Sequence, residues 1–148
     1  MSTHAVSKLD DLIVTTIDSI NGYEQAADHA EAGRYAELFR AMAQERRAVV
    51  EALQAESQRL GGTPNTFGSV AAHVHRRWED IRHAFGGGDK AVAAEVDRGE
   101  AYLQEEFDRV LKDDKMGAET LAVVQRAYES VVRGREQVQQ VRQVLAAA

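Results

Sequence analysis

Apolar residues recur along this chain at steps of three and four, the spacing that lays them on one face of an α-helix, in five successive stretches. The first runs from about Lys8 to Ala32, where Leu9, Leu12, Ile13, Thr16, Ile17, Ile20, Tyr23 and Ala27 form one stripe. Ser7, with Asp10 three residues on, is a candidate N-terminal cap, and Gly33 stands where a left-handed C-terminal cap is expected. The second stretch, about Arg34 to Leu60, carries Tyr35, Leu38, Phe39, Met42, Val49, Leu53 and Leu60. So short a link between the two predicts an antiparallel hairpin.

Gly61 and Gly62 end the second helix, and the loop to Gly68 holds the only proline, Pro64. A third, shorter helix is predicted over Ser69 to Phe85, burying Val70, Val74, Trp78, Ile81 and Phe85, until Gly86-Gly87-Gly88 stops it. Asp89 is placed to cap a fourth helix, Lys90 to Lys112, with Val92, Val96, Leu103, Phe107, Val110 and Leu111 inward. A polar turn leads to a fifth, Ala118 to Ala147, with Leu121, Val124, Tyr128, Val131, Val138, Val141 and Leu145, and these two make a second hairpin. A third helix of some seventeen residues spans roughly 25 Å, enough to carry the chain back along the first hairpin. The expectation is therefore an all-α single domain over residues 1–148. Its architecture is a ferritin-like four-helix bundle, two antiparallel helical hairpins joined by a shorter crossover helix.

Composition agrees with long helices and excludes several functions. One proline and abundant Ala, Glu, Gln and Arg suit helix, and 148 residues suffice for one core without disulfide or metal. With 18 basic and 24 acidic residues interspersed, the net charge of -6 argues against a nucleic-acid partner. The lack of cysteine removes thiol nucleophiles and thiolate zinc sites. No stretch approaches the ~20 apolar residues of a membrane span and the first residues do not resemble a signal peptide, so a cytoplasmic location is expected and a membrane partner is not.

The segments Asp18-x4-Tyr23-Glu24, Glu45-Arg46-Arg47, Leu60-Gly61-Gly62-Thr63-Pro64, His75-Arg76-x-Trp78, Gly88-Asp89 and Arg98-Gly99-Glu100 carry a resemblance. In order and spacing, from Leu9 to Leu111, the chain resembles the bacterial four-helix-bundle proteins of the PA2169 type, a family grouped with the ferritin-like proteins and lacking an established function. The resemblance implies the fold more than any activity, and points faintly to a stress- or envelope-related setting.

Several charged residues fall on or beside apolar stripes: Glu24, Glu45 between Met42 and Val49, Glu100 between Val96 and Leu103, and Arg135 between Val131 and Val138. Ferritin-like di-metal sites use one Glu from each of two helices and a Glu-x-x-His pair from each of the others. Glu24, Glu45 and Glu100 resemble three of those carboxylates, which makes them candidate ligands for iron or manganese. The rest of the motif is missing: Ala48 follows Glu45 by three residues, and the fifth helix has Arg135 and no histidine. Three readings stand open at this point. The heads point into water, or they form a buried ion-pair cluster with Arg135 as the cation, or they bind a metal.

His75 and Trp78 read as anchors of the crossover helix on the bundle. His73 and His75 point to different sides of a helix, and His75 and His83 are two turns apart, too far for shared coordination. Tyr23, Tyr35, Tyr102 and Tyr128 lie on or near apolar faces, where packing with a satisfied hydroxyl is the expected role. Gly86 to Asp89 lacks the strand and lysine of a phosphate loop. No catalytic residue set emerges. The sequence thus favours a non-catalytic bundle without cofactor that self-associates or binds another protein, with a carboxylate-bound iron or manganese protein of oxidase or metal-handling activity as the alternative.

Overall fold

The computed structural model describes residues 3–68 and 86–148, and within them the chain is all-α with four helices and no strand. They are α1, Thr3–His29; α2, Gly33–Arg59; α3, Gly88–Leu111; and α4, Ala118–Ala147. At 1.5 Å per residue each is about 35 to 45 Å long. The expected crossover helix over 69–85, with its anchors His75 and Trp78, lies outside the described residues.

The apolar stripes meet in one cluster. Leu9, Leu12 and Ile13 of α1, Phe39, Met42 and Leu53 of α2, Leu103 and Phe107 of α3, and Val124, Val131 and Val138 of α4 are all sealed from solvent. Each large aliphatic or aromatic side chain buried in this way contributes roughly 1.5–3 kcal/mol, and periodicity is what brings them to the same side.

The pairings between helices give their order. Along α1 and α2, Asp28 meets Arg40, Glu24 meets Arg47 and Ser19 meets Arg46, so partners descend one helix as they climb the other. The same holds along α3 and α4, where Gln104 meets Tyr128 and Asp97 meets Arg142. The start of α3 sits at the α1–α2 turn, with the Asp89 carboxylate accepting the backbone N–H groups of Glu31 (2.7 Å) and Ala32 (3.0 Å). Its far end lies beside the start of α1, where the Asp113 carboxylate is 2.6 Å from His4 Nε2. The start of α4 meets the end of α2 through Thr120 and Glu56.

Helix ends differ from the sequence reading in three places. Ser7 lies inside α1, which already runs from Thr3, and Gly33 is the first residue of α2 without a positive φ. The turn between them is held instead by Asp89, which lies inside the first turn of its own helix, one residue past the start at Gly88, and reaches across from α3. The end of α2 follows expectation. Gly61 has a φ of 88°, its N–H bonds the Gln58 carbonyl (2.9 Å), and the Gly62 N–H bonds that of Ser57 (2.8 Å), the paired pattern that a left-handed glycine allows.

Beyond Gly61 the chain turns back along α1. Gly62 packs against Val6, the Asn65 N–H bonds the Asp10 carboxylate (3.0 Å), and Gly68 lies against Asp18. Among the described residues no helix is long and apolar enough to cross a membrane.

Candidate functional site: an arginine shared by four helices

On α2 the inward stripe runs Phe39, Met42, Arg46, Val49, Leu53, so the helical period itself drives a guanidinium into the core, where Arg46 is only 2% exposed. Glu100 of α3, equally buried, faces it. Arg46 Nη1 donates to Glu100 Oε1 at 2.8 Å and Nη2 donates to Oε2, the forked geometry in which a planar guanidinium matches a carboxylate. Nη1 also donates to Ser19 Oγ (3.2 Å), which in turn donates to the Thr16 carbonyl (2.7 Å). The guanidinium carbon lies 5.4 Å from the centroid of the Tyr23 ring, within cation–π range.

The fourth helix contributes an absence of side chain. A Cβ on Gly134 would stand 2.6 Å from Arg46 Nη2, so glycine in mid-α4 is what makes room for the guanidinium. The Val131 carbonyl is 3.5 Å from the same nitrogen. One side chain therefore touches all four helices.

Burial works against charge on Arg46, but the hydrogen bonds and negative charge of Glu100 outweigh it, and the guanidinium is held charged more firmly than in water. The Tyr23 hydroxyl is buried beside this pair and, among the described residues, has no hydrogen-bond partner of normal geometry. Burial first, and the negative charge of Glu100 second, push its phenol well above the usual tyrosine range, with Arg46 pulling the other way.

Two further buried carboxylates are paired nearer the surface. Asp97, three residues before Glu100, accepts from Arg142 Nη1 (2.6 Å) and Arg135 Nε (3.3 Å) of α4. Glu56 accepts from Arg59 Nε (2.7 Å) and Nη2 (2.6 Å) and from the Thr120 hydroxyl (2.7 Å). The Arg59 hydrogen bonds hold Glu56 below the ordinary glutamate range; burial opposes them and Thr120 assists.

Of the four charged residues singled out from the sequence, only Glu100 lies in the core. Glu24 is half-exposed and pairs with Arg47, Glu45 is exposed, and Arg135 turns to Asp97 and, through Nη1, to Gln104 (3.1 Å). The four do not share an interior. The reason is angular: Glu24 and Glu45 each stand one residue, or about 100° of helix, from the inward positions Tyr23 and Arg46. Among the described residues no group of three or more His, Cys, Asp and Glu side chains is arranged to hold a metal ion.

Of the other tyrosines, Tyr35 is buried, Tyr128 is partly buried, and Tyr102 is half-exposed. The residues that sequence reasoning missed are Arg46, Gly134, Asp97 and Glu56. Arg46 had a signal, since it follows Met42 by four and precedes Val49 by three. Gly134 had one too, as a glycine inside a helix that it weakens by about 1 kcal/mol relative to alanine.

The amino-acid sequence matches the family described as domain of unknown function (DUF2383) over residues 4–113. The chain belongs to that family. The match runs from the second residue of α1 to the turn after α3, so it includes Arg46 and Glu100 and ends before Gly134. No curated protein matches the chain.

Proposed function

We propose that this DUF2383 chain is a ferritin-like bundle of two antiparallel hairpins that works through its surface, by self-association or by binding another protein, and not by chemistry in its core. The order of the helices supports the architecture. The chain leaves α2 at one end of the bundle and begins α3 at the other, beside the α1–α2 turn, as a ferritin-like connection requires.

The observation that carries the functional reading is the fork of Arg46 on Glu100. A carboxylate that accepts two N–H groups of a permanent cation has its oxygens already engaged, and the guanidinium occupies the space between the helices where a bundle would hold ions. The alternative, an iron or manganese protein, would need Glu24 and Glu45 to swing from the surface toward Glu100 and Arg46 to leave it. Such a fork favours a structural centre, and the function then falls to the outer faces.

The test uses the purified full chain. Light scattering across a concentration series is expected to show an associated mass. Incubation with iron(II) or manganese(II) followed by dialysis is expected to leave no stoichiometric ion. Whole-number uptake that disappears in Glu100→Gln would overturn the reading in favour of the metal alternative.

A further inference from the structure

The loop that follows α2 and the first turns of α1 enclose an open pocket of about 600 Å³. Val6, Ser7 and Asp10 line it from α1, and Pro64, Thr66 and Phe67 from the loop. The loop is pinned at successive levels of α1, with Gly62 on Val6, the Asn65 N–H on Asp10 and Gly68 on Asp18. Gln54 Nε2 also donates to the Asn65 carbonyl (3.0 Å), and Asn65 Oδ1 accepts the Phe67 N–H (3.2 Å). The pocket is therefore formed in advance of any occupant.

Two of its side chains are left with chemistry to offer. Phe67, on this pinned loop, is 71% exposed, more than any other large apolar side chain among the described residues. Asp10 is the one charged residue that lines the pocket, among those described. Its Oδ1 takes the Asn65 N–H (3.0 Å), and among the described residues no cation pairs with the carboxylate. Lys8, the nearest cation in sequence, stands about 200° round the helix. There it helps Lys115 and His4 to hold the Asp113 carboxyl below its usual range. Burial pushes the neighbouring Asp11 carboxyl up, Lys8 opposes it, and Glu106 and Asp10 assist, so negative charge prevails on this flank of α1.

We propose that this pocket receives an arginine side chain from a basic segment of another protein, with the guanidinium set between the Asp10 carboxylate and the Phe67 ring. The proposal rests on the protein-binding half of the functional reading above and gives it a surface. A guanidinium suits both neighbours, because it hydrogen-bonds a carboxylate and lays its flat face on an aromatic ring. Asp10 lies seven residues, roughly 10 Å, beyond Thr3, and Phe67 stands on the loop between the levels of Asp10 and Asp18. The cation is thus clear of the first turn of α1, where the helix dipole would repel it. The hydroxyls of Ser7, Thr63 and Thr66 remain for the backbone that flanks the arginine. The net charge of -6 draws a basic partner toward the surface.

The test follows backbone amide NMR signals of the isotope-labelled full chain during titration with a blocked pentapeptide, one arginine flanked by alanines. Saturable movement of the Ser7, Asp10, Asn65 and Phe67 amides is expected, and none with citrulline in place of the arginine. Asp10→Asn, which keeps an acceptor for the Asn65 N–H, is expected to weaken binding about tenfold through loss of a charge-assisted hydrogen bond. Phe67→Leu is expected to weaken it about threefold, the share of the ring's electrostatic attraction. Helical content by circular dichroism should be unchanged in both. Equal binding of the citrulline peptide, or no effect of Asp10→Asn, overturns the proposal. Agmatine binding as tightly as the peptide overturns it in favour of a free small cation, and movement of the same amides on concentrating the chain alone overturns it in favour of a second copy. Each of these failures leaves the surface-binding reading in place, which falls instead to stoichiometric uptake of iron or manganese.

Discussion

Arg46 and Arg47 are neighbours on α2, carry the same charge, and each meets a glutamate of another helix, yet they do different work. Arg46 and Glu100 are each 2% exposed at the centre of the bundle, whereas Arg47 and Glu24 are each about 40% exposed at its edge. A turn of 100° separates the two arginines. At the edge, water screens the pair and competes for both groups, so it contributes at most about 1 kcal/mol. In the core water does not compete, and the other contacts of Arg46, with Ser19, the Val131 carbonyl and the Tyr23 ring, carry no full negative charge. The pair need not stabilise the fold relative to an apolar core, but losing one member strands a charge.

That contrast can be broken by removing one partner at a time. Arg46→Met should have the largest effect, a loss of about 3–5 kcal/mol in urea unfolding, because Glu100 is left buried and unpaired. Gly134→Ala comes next, at about 2 kcal/mol, since the new methyl drives into Arg46 Nη2 in a packed core. In the Arg46→Met background the same change should become stabilising, as alanine is the better helix former by about 1 kcal/mol. If Gly134→Ala costs the same in both backgrounds, the glycine is not there for Arg46.

Glu56 sharpens the comparison from an intermediate position, with its carboxylate buried and its arginine half-exposed. Glu56→Gln should cost about 1.5 kcal/mol at neutral pH. Because the folded state lowers the pKa of Glu56, its contribution is present above the ordinary glutamate value of ~4.3 and is lost as pH falls through the lowered one. The gap between the unmodified protein and Glu56→Gln should therefore close as unfolding is followed from neutral pH to below ~4. Arg47→Ala should have the smallest effect, under about 1 kcal/mol, and what there is should fade in high salt.

The four described helices and their inward faces were legible in the sequence because 3.6-residue periodicity acts through burial, which hydrophobic residues report directly. Leu9, Phe39, Leu103 and Val131 are buried where the stripes put them. Helix ends were less legible. Asp89 was read as a local cap, while its partners lie 57 and 58 residues away at the α1–α2 turn, a contact that no local pattern contains.

The candidate site was legible only at Glu100. Arg46 obeys the inward period better than Glu45 does, but an arginine is expected outside, and only its forked partner and the void at Gly134 make burial affordable. Arg135 was read as the cation of a cluster with Glu24, Glu45 and Glu100. It stops short of the centre because it pairs with Asp97, one turn from Glu100 on α3, a partner that the stripes alone did not single out.

The central claim is that Arg46 and Glu100 form one closed unit in the core. A double-mutant cycle tests it most directly, by comparing unfolding free energies of the unmodified chain, Arg46→Met, Glu100→Leu and both together, at one fixed chain concentration. The predicted result is a coupling of about 2–3 kcal/mol, with the double variant more stable than either single one. Two losses that simply add, within about 0.5 kcal/mol, would contradict it.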